Sequence, residues 1–131
     1  MSVRVVQLGS ARHGKEGVRI GTVRRPPRGV SKDNYGTLDF YDAWLPELAP
    51  SISLLQRFKA LPDTPQNWKR FMQRYTQEME KPPAVRILKL LALLSLDADF
   101  SVGCYCKNES HCHRSTLRTL LQKHGASIAR S

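Results

Sequence analysis

The chain has 131 residues, of which 40% are hydrophobic and 24% charged, with a formal net charge of +10 at neutral pH. These values predict one globular domain over residues 1–131, because they allow a hydrophobic core and exclude a membrane-spanning chain. The most apolar run, residues 87–96, contains Lys89 and is far shorter than the roughly 20 apolar residues that cross a bilayer. Basic residues also interrupt the N-terminal apolar run, so we expect no signal peptide, a cytoplasmic location and no membrane partner.

The excess of positive charge indicates an anionic partner. Nucleic acid, a nucleotide and another phosphorylated small molecule all satisfy that description. No basic helix and no aromatic strand typical of RNA-binding modules accompanies the charge. We therefore expect a small anionic or nucleotide-like ligand, and keep a non-catalytic basic nucleic-acid-binding module as the alternative. The sequence leaves the oligomeric state open.

Two strands are predicted near the N-terminus. Residues 3–8 are rich in β-branched side chains and end at Gly9, and residues 18–23 alternate apolar and polar side chains. The loop between them, residues 9–17, contains three glycines. Their spacing matches neither a P-loop nor a dinucleotide-binding fingerprint, so this loop is predicted to be a flexible connector.

An arginine-rich loop, residues 24–32, follows the second strand. Its two adjacent prolines exclude a helix or a central strand and keep the backbone extended. The side chains of Arg24, Arg25 and Arg28 are then expected to project from a stiff loop, where guanidinium groups can bind a phosphate or carboxylate through two parallel hydrogen bonds. The alternative is a solvated basic loop, which is what charge runs usually form.

The middle of the chain is predicted to be helical. Residues 39–45 are expected to form one or two helical turns before Pro46, and residues 52–61 a helix capped by Ser51. A third helix over residues 65–80 begins at the N-cap Thr64 and carries one apolar stripe. Residues 84–96 are apolar on nearly all sides, which predicts a helix buried against several elements.

The C-terminal part is predicted to contain a strand, residues 100–105, and a helix, residues 115–123. Gly125 occupies the position of a helix C-cap, and residues 126–131 are expected to be a frayed tail. Helices lie between this strand and the earlier strands, and that order predicts an α/β fold. We expect a small, mainly parallel sheet flanked by helices in a single layered domain. Three strands are clear, so either the sheet is small or the pattern hides a further strand.

All three cysteines lie around the end of the last strand. Residues two apart in a strand face the same side, so Cys104 and Cys106 share a face. Ligands bind beyond the carboxyl ends of parallel strands, close to helix N-termini, where the helix dipole favours anions and lowers the pKa of a nearby thiol. Cys106 or Cys112 is therefore the candidate nucleophile and His113 the candidate acid–base group. The anion-binding candidates are Arg24, Arg28, Arg114 and Ser115.

Other chemistries are open for the same cysteines. A phosphatase loop places five residues between cysteine and arginine, whereas seven separate Cys106 from Arg114 and one separates Cys112 from it. Zinc bound by the three cysteines and His111 or His113 has suitable ligand types, but the spacing departs from the usual knuckle, so no cofactor is expected. A redox pair of Cys106 with Cys112 is also open. Cys104 is expected to pack as a small core residue.

Several of these motifs, taken in order, resemble a bacterial family catalogued as domain of unknown function 488. Its members typically end with a strand, a cysteine-containing loop and a Cys-His-Arg triplet that opens the last helix, similar to residues 104–106 and 112–114. One branch carries a loop like residues 26–32, a segment like residues 44–51, and a helix with a Trp…Phe…Arg-Tyr…Glu pattern like residues 68–78. The likeness covers roughly residues 18–125, and several separated motifs in the right order make it specific.

This chain departs from the family pattern in the arginine loop. The family loop usually has Asp-Arg before its Trp-Pro, whereas Val23 and Arg24 stand here, and Pro26 replaces the tryptophan. The resemblance implies an α/β fold and no particular reaction. It also implies that Arg28 and the Cys-His-Arg triplet are family motifs. We therefore expect one pocket for a phosphorylated or nucleotide-like anion, with a Cys/His pair if the protein is an enzyme.

Overall fold

The structure, a computed structural model, describes residues 1–106 and 112–129. Within these residues, four parallel strands form one sheet in the order β1-β4-β2-β3. The strands are β1 (Val3–Gln7), β2 (Val18–Gly21), β3 (Ala43–Trp44) and β4 (Phe100–Cys104). The predicted α/β class with a small parallel sheet is confirmed. All four carboxyl ends lie at the same edge of the sheet, because all four strands run in the same direction.

Strand β4 lies between β1 and β2 and is buried along its whole length. Its close fit against β1 depends on a glycine. A Cβ atom added at Gly103 would lie 2.4 Å from the carbonyl oxygen of Val6, so no side chain fits at this position. The register Gln7–Cys104 and Gly21–Gly103 then brings the ends of three strands together.

Four α-helices follow from capping and apolar periodicity. They are α1 (Ile52–Lys59), α2 (Pro65–Met79), α3 (Ala84–Leu94) and α4 (His113–Lys123), and two 3₁₀ turns span Lys32–Asn34 and Pro46–Leu48. The predicted caps are confirmed, since Ser51 accepts a hydrogen bond from the Leu54 N–H and Thr64 accepts one from the Asn67 N–H. Gly125 follows α4 with φ of +92°, as the predicted C-cap requires.

The main hydrophobic core lies between the helices and one face of the sheet. The apolar stripe of α2 is buried there as its spacing predicts, with Trp68, Phe71, Tyr75 and Met79 all inside. The sheet contributes the side chains that share this face, namely Val3, Val5, Ile20, Phe100 and Val102.

Polar contacts cover the opposite face of the sheet. Arg19 of β2 is fully buried and forms two hydrogen bonds to the Glu16 carboxylate, at 2.6 and 2.8 Å. Arg12 pairs with Asp39 and Asp42 at 3.0 and 2.8 Å. The loop of residues 9–17 is therefore held by ion pairs, which differs from the predicted flexible connector.

The prediction of helical turns over residues 39–45 is wrong. The backbone N–H groups of Asp42 and Leu45 donate to the carbonyls of Arg19 and Gly21, so this segment pairs with β2 and supplies the strand that the pattern hid. Asp39 has a φ of +61°, which a right-handed helix does not allow. A two-residue strand carries too little periodicity to be recognised in a sequence.

Two further expectations differ from the structure. Helix α3 has an open side on which Leu90 and Leu93 are 55% and 65% exposed, so it is not buried all round. The described part of the tail lies beside β1 instead of fraying: the Val3 N–H donates to Ser127 and the Ala129 N–H donates to Val3. Residues 130–131 lie outside the described part of the chain.

Among the helices in residues 1–106 and 112–129, none is both long enough and apolar enough to cross a membrane.

Candidate functional site

A cavity of about 450 Å³, called the first cavity below, opens at the carboxyl edge of the sheet. The arginine loop after β2 forms one wall, the end of β4 and the start of α4 form another, and α1 closes the third side. The lining side chains that carry functional groups include Arg24, Arg25, Arg28, Lys59, Cys106 and His113. This position is the one expected for a ligand site in a parallel α/β sheet.

The three arginines of the loop differ in their freedom to bind a ligand. Arg24 donates hydrogen bonds to the carbonyls of Ala49 and Pro50 at 3.0 and 3.2 Å, so its guanidinium also holds the chain before α1. Arg25 and Arg28 are exposed, and within the described residues their guanidinium groups form no hydrogen bond or ion pair. These two groups, together with the exposed Lys59, give the first cavity its positive charge.

The three cysteines form a compact cluster, the thiol cluster, at the base of the first cavity. The sulfur atoms of Cys104, Cys106 and Cys112 all lie within 4.8 Å of one another. Cys104 and Cys112 are buried, whereas Cys106 is exposed. The backbone N–H of Cys106 also donates to the Cys104 sulfur at 3.4 Å. The cluster therefore presents one accessible sulfur supported by two inaccessible ones.

The surroundings of Cys106 favour its thiolate. Hydrogen bonds from the thiols of Cys104 and Cys112 hold the pKa of Cys106 far below its usual range, and the nearby charge of Arg114 adds to this effect. Hydrogen bonding to Cys106 and burial raise the pKa of Cys104 above its usual value. One thiolate hydrogen-bonded to neutral thiols is thus the stable arrangement at neutral pH, and the negative charge is placed on the exposed sulfur.

His113 connects the thiol cluster to β2. Its Nε2 lies 2.8 Å from the carbonyl oxygen of Thr22, which can only accept, so Nε2 carries the proton. Nδ1 then has a free lone pair and lies 3.8 Å from the Cys112 sulfur. Burial lowers the pKa of His113 to about 4. The imidazole is therefore neutral at physiological pH, and its Nδ1 lone pair faces the Cys112 sulfur.

Three of the residues predicted for the site lie behind the first cavity and do not line it. Arg114 is buried and donates from its terminal nitrogen to the Cys106 carbonyl at 2.7 Å, which holds the end of the cysteine segment. Its Nε lacks a hydrogen-bond partner within the described residues. The hydroxyl of Ser115 donates to the Cys112 carbonyl at 3.0 Å and so stabilises the first turn of α4. Cys112 is buried among the thiols.

The structure thus brings Arg24, Arg28, Cys106 and His113 around one cavity. The sequence did not single out Tyr105 or Lys59, which also line it. Cys104 is buried as predicted but belongs to the thiol cluster as well. The sequence signal for the cluster was the spacing of two residues, which places Cys104 and Cys106 on the same face of a strand.

A soft metal ion is the other species that three close thiolates can bind. The sulfur separations allow it. Among the described residues, His113 is not part of this close group of ligand atoms: its Nε2 is bonded to Thr22, and its Nδ1 lies 3.8 Å from the Cys112 sulfur. His111, the other predicted zinc ligand, lies outside the described residues.

Comparison with protein families matches residues 3–125 to the family DUF488-N3a, described as the active DUF488-N3 subclade. The chain belongs to this family. The match begins before residue 18. The DUF488-N3a unit therefore includes β1 in addition to the arginine loop and the thiol cluster. Neither the curated proteins nor the solved structures that were compared with the chain include a significant match.

Proposed function

We propose that this DUF488-N3a protein binds a small phosphorylated anion in the first cavity and uses Cys106 as a nucleophile on it. One observation carries the proposal: the exposed sulfur, whose surroundings favour the thiolate, opens into the same cavity as Arg25, Arg28 and Lys59. A thiolate has the reactivity of a nucleophile, and the free cations supply affinity for a ligand of negative charge.

The four cations that line the first cavity have three different tasks in this proposal. Arg25 and Arg28 project from a proline-stiffened loop, so their guanidinium groups pair with phosphate oxygens at a small entropic cost. Lys59 reaches the cavity from α1 and adds a compact positive charge. Arg24, which is bonded to Ala49 and Pro50, keeps the loop and α1 at the distance that a small anion needs.

The chemical step follows from the position of the reactive sulfur. The Cys106 thiolate attacks an electrophilic centre of the bound anion, a bond from sulfur to that centre forms, and the bond to the leaving group breaks with its electron pair going to the leaving group. Attack by water on the covalent intermediate then releases the product, with the water proton going to solvent, and restores the thiolate. Cys104 and Cys112 stabilise the thiolate before and after the step.

His113, on the wall of the first cavity, and Arg114, behind that wall, both support this chemistry. His113 presents its Nδ1 lone pair to the Cys112 sulfur, so it offers that thiol a nearby base. Arg114 fixes the Cys106 carbonyl, which makes it a positioning residue whose charge also favours the thiolate. Removal of the Arg114 guanidinium is therefore expected to reduce the reactivity of Cys106 more than the affinity for an anion.

Protection of Cys106 from alkylation tests both parts of the proposal. Iodoacetamide should modify Cys106 in the native protein, and inorganic pyrophosphate should slow that modification several-fold by occupying the first cavity. In Arg28→Ala the protection should disappear while alkylation continues. Arg57→Ala removes an exposed positive charge of α1 outside the first cavity and should leave the protection intact. Equal protection in Arg28→Ala and the unmodified protein would contradict the proposed site.

We also infer that the thiol cluster functions without a bound metal. Three sulfur ligands fall short of the four that a structural zinc site uses, and a zinc ion would remove the nucleophilic character of Cys106. Freshly purified protein is expected to contain less than about 0.1 equivalent of zinc, which metal analysis measures. A content near one equivalent, together with loss of Cys106 alkylation, would make the cluster a metal centre instead.

The second candidate function is a non-catalytic nucleic-acid-binding module. The net charge of +10 favours it, because phosphate backbones bind such surfaces without a dedicated pocket. The two functions differ in their dependence on salt. Backbone binding weakens steeply as salt rises, whereas a pocket that binds one small anion responds less. Tight, salt-sensitive binding of an oligonucleotide that Cys106→Ser and Arg28→Ala leave unchanged would favour the module.

A further inference from the structure

A second cavity, of about 360 Å³, shares a wall with the first one. The residues common to both cavities are Arg25, Arg28 and Tyr105. Pro26, Pro27 and Phe40 complete the second cavity. A ligand in the first cavity can therefore extend past the two free guanidinium groups into a neighbouring space of different character.

The second cavity has aromatic and apolar walls. The rings of Phe40 and Tyr105 meet edge to face, with centroids 6.2 Å apart. The Tyr105 hydroxyl donates to the carbonyl of Arg25 at 2.9 Å, which fixes this ring against the loop. The adjacent prolines hold the remaining wall in one conformation. These features offer preorganised flat surfaces to a planar group.

We propose that the anion bound by this protein is a nucleotide, with its phosphate in the first cavity near Cys106 and its base in the second cavity against Phe40 and Tyr105. This inference rests on the proposed function of the first cavity. Both cavities have the size of small-ligand sites, which span about 300–1,000 Å³.

Simpler ligands do not match the properties of both cavities. A phosphate or sugar phosphate occupies the first cavity but makes no use of the aromatic walls of the second. A purely apolar ligand desolvates Arg25 and Arg28 without supplying a counter-charge, which is unfavourable. A nucleotide satisfies both: its phosphate pairs with the guanidinium groups, and its base stacks on an aromatic ring or on a guanidinium plane.

Calorimetric titration with AMP, GMP, CMP, UMP and ribose 5-phosphate tests the inference on the full chain. At least one of the nucleotides should bind more than about tenfold tighter than ribose 5-phosphate, since stacking of one base contributes that much. Phe40→Ala should reduce the nucleotide affinity to that of ribose 5-phosphate without changing the affinity for ribose 5-phosphate. Phe40→Leu keeps apolar volume but removes the ring, so it should show the same loss if stacking is the cause. Leu38→Ala, at an exposed neighbouring position, should change neither affinity.

The outcomes separate this inference from the proposed function. Equal binding of ribose 5-phosphate and every nucleotide, with binding lost in Arg28→Ala, would overturn the base site and keep the anion site. No binding of any of these probes would overturn both. Binding of a single-stranded oligonucleotide with steep salt dependence, while free nucleotides fail to bind, would assign the second cavity to a nucleic-acid chain and would also overturn the inference.

Discussion

The Nε2 atom of His113 lies 2.8 Å from the carbonyl oxygen of Thr22, a residue 91 positions earlier in the chain. This hydrogen bond joins the start of α4 to the end of β2. It also fixes the tautomer of the imidazole, since the carbonyl can only accept. The free lone pair on Nδ1 then faces the Cys112 sulfur, so this contact places a proton acceptor beside the thiol cluster.

The free energy of unfolding should depend on pH in a way that reveals the buried imidazole of His113. Burial lowers the pKa of His113 from 6.5 to about 4, so between these values the unfolded chain binds a proton that the folded chain does not. The free energy of unfolding should therefore fall as pH drops from 6.5 towards 4, by on the order of 3 kcal/mol in total from this group. Urea unfolding of the unmodified protein and His113→Gln at several pH values measures the difference, and His124→Gln is the control. A parallel pH dependence in the unmodified protein and His113→Gln would contradict the assignment.

The alkylation rate of Cys106 should be nearly independent of pH. An unperturbed thiol reacts about 240-fold faster at pH 9 than at pH 6, because its thiolate fraction rises over that range. The hydrogen bonds from Cys104 and Cys112 keep Cys106 ionised, so its rate should stay flat across the same interval. Cys112→Ala removes one donor and should restore a rise with pH, whereas Cys112→Ser keeps a donor and should do so less. Identical profiles for the two variants would argue against hydrogen bonding as the cause.

Substitution of Gly103 should disturb the centre of the sheet. In Gly103→Ala the new methyl group meets the Val6 carbonyl, a backbone atom that cannot turn away. We expect the free energy of unfolding to fall by about 2 kcal/mol or more, because β4 must move away from β1. Gly14→Ala is the matched control, since within the described residues no atom beyond its chain neighbours lies within 4 Å of its Cβ position. Equal stability of the two variants in chemical denaturation would contradict this prediction, since it would show that the sheet accommodates the added methyl group.

The buried ion pair of Glu16 and Arg19 should be sensitive to the loss of either partner. Glu16→Gln leaves the Arg19 guanidinium charged and buried without its carboxylate, so we expect a loss of about 3 kcal/mol in the free energy of unfolding. The double variant Glu16→Leu with Arg19→Met removes both charges and should be less unstable than the single one. Denaturant unfolding of the unmodified protein, of Glu16→Leu and Arg19→Met singly, and of the double variant measures the coupling. A double variant whose loss equals the sum of the single losses would exclude it.

Local patterns in the sequence predicted much of the fold. The stripe of Trp68, Phe71, Tyr75 and Met79 predicted α2 because helical spacing places these side chains on one face. Ser51, Thr64 and Gly125 marked helix ends, since each satisfies a terminal backbone group or a left-handed conformation within a few residues of itself. The segment of residues 39–45 was misassigned because hydrogen bonds to β2, far away in sequence, outweigh any local helical preference.

The sequence by itself determined where the candidate functional side chains lie: in a proline-stiffened arginine loop after β2, and around the end of β4, where the cysteines are. Only the tertiary structure decided how those segments meet. It inserts β4 between β1 and β2, places Arg28 and Cys106 on one cavity, and brings the Cys104 sulfur within reach of Cys112. The physical reason is that turns, caps and periodicity depend on neighbours in the chain, whereas distances between separate segments depend on how the whole core packs. The polarity of the thiol cluster, with its charge on Cys106, exists only after that packing.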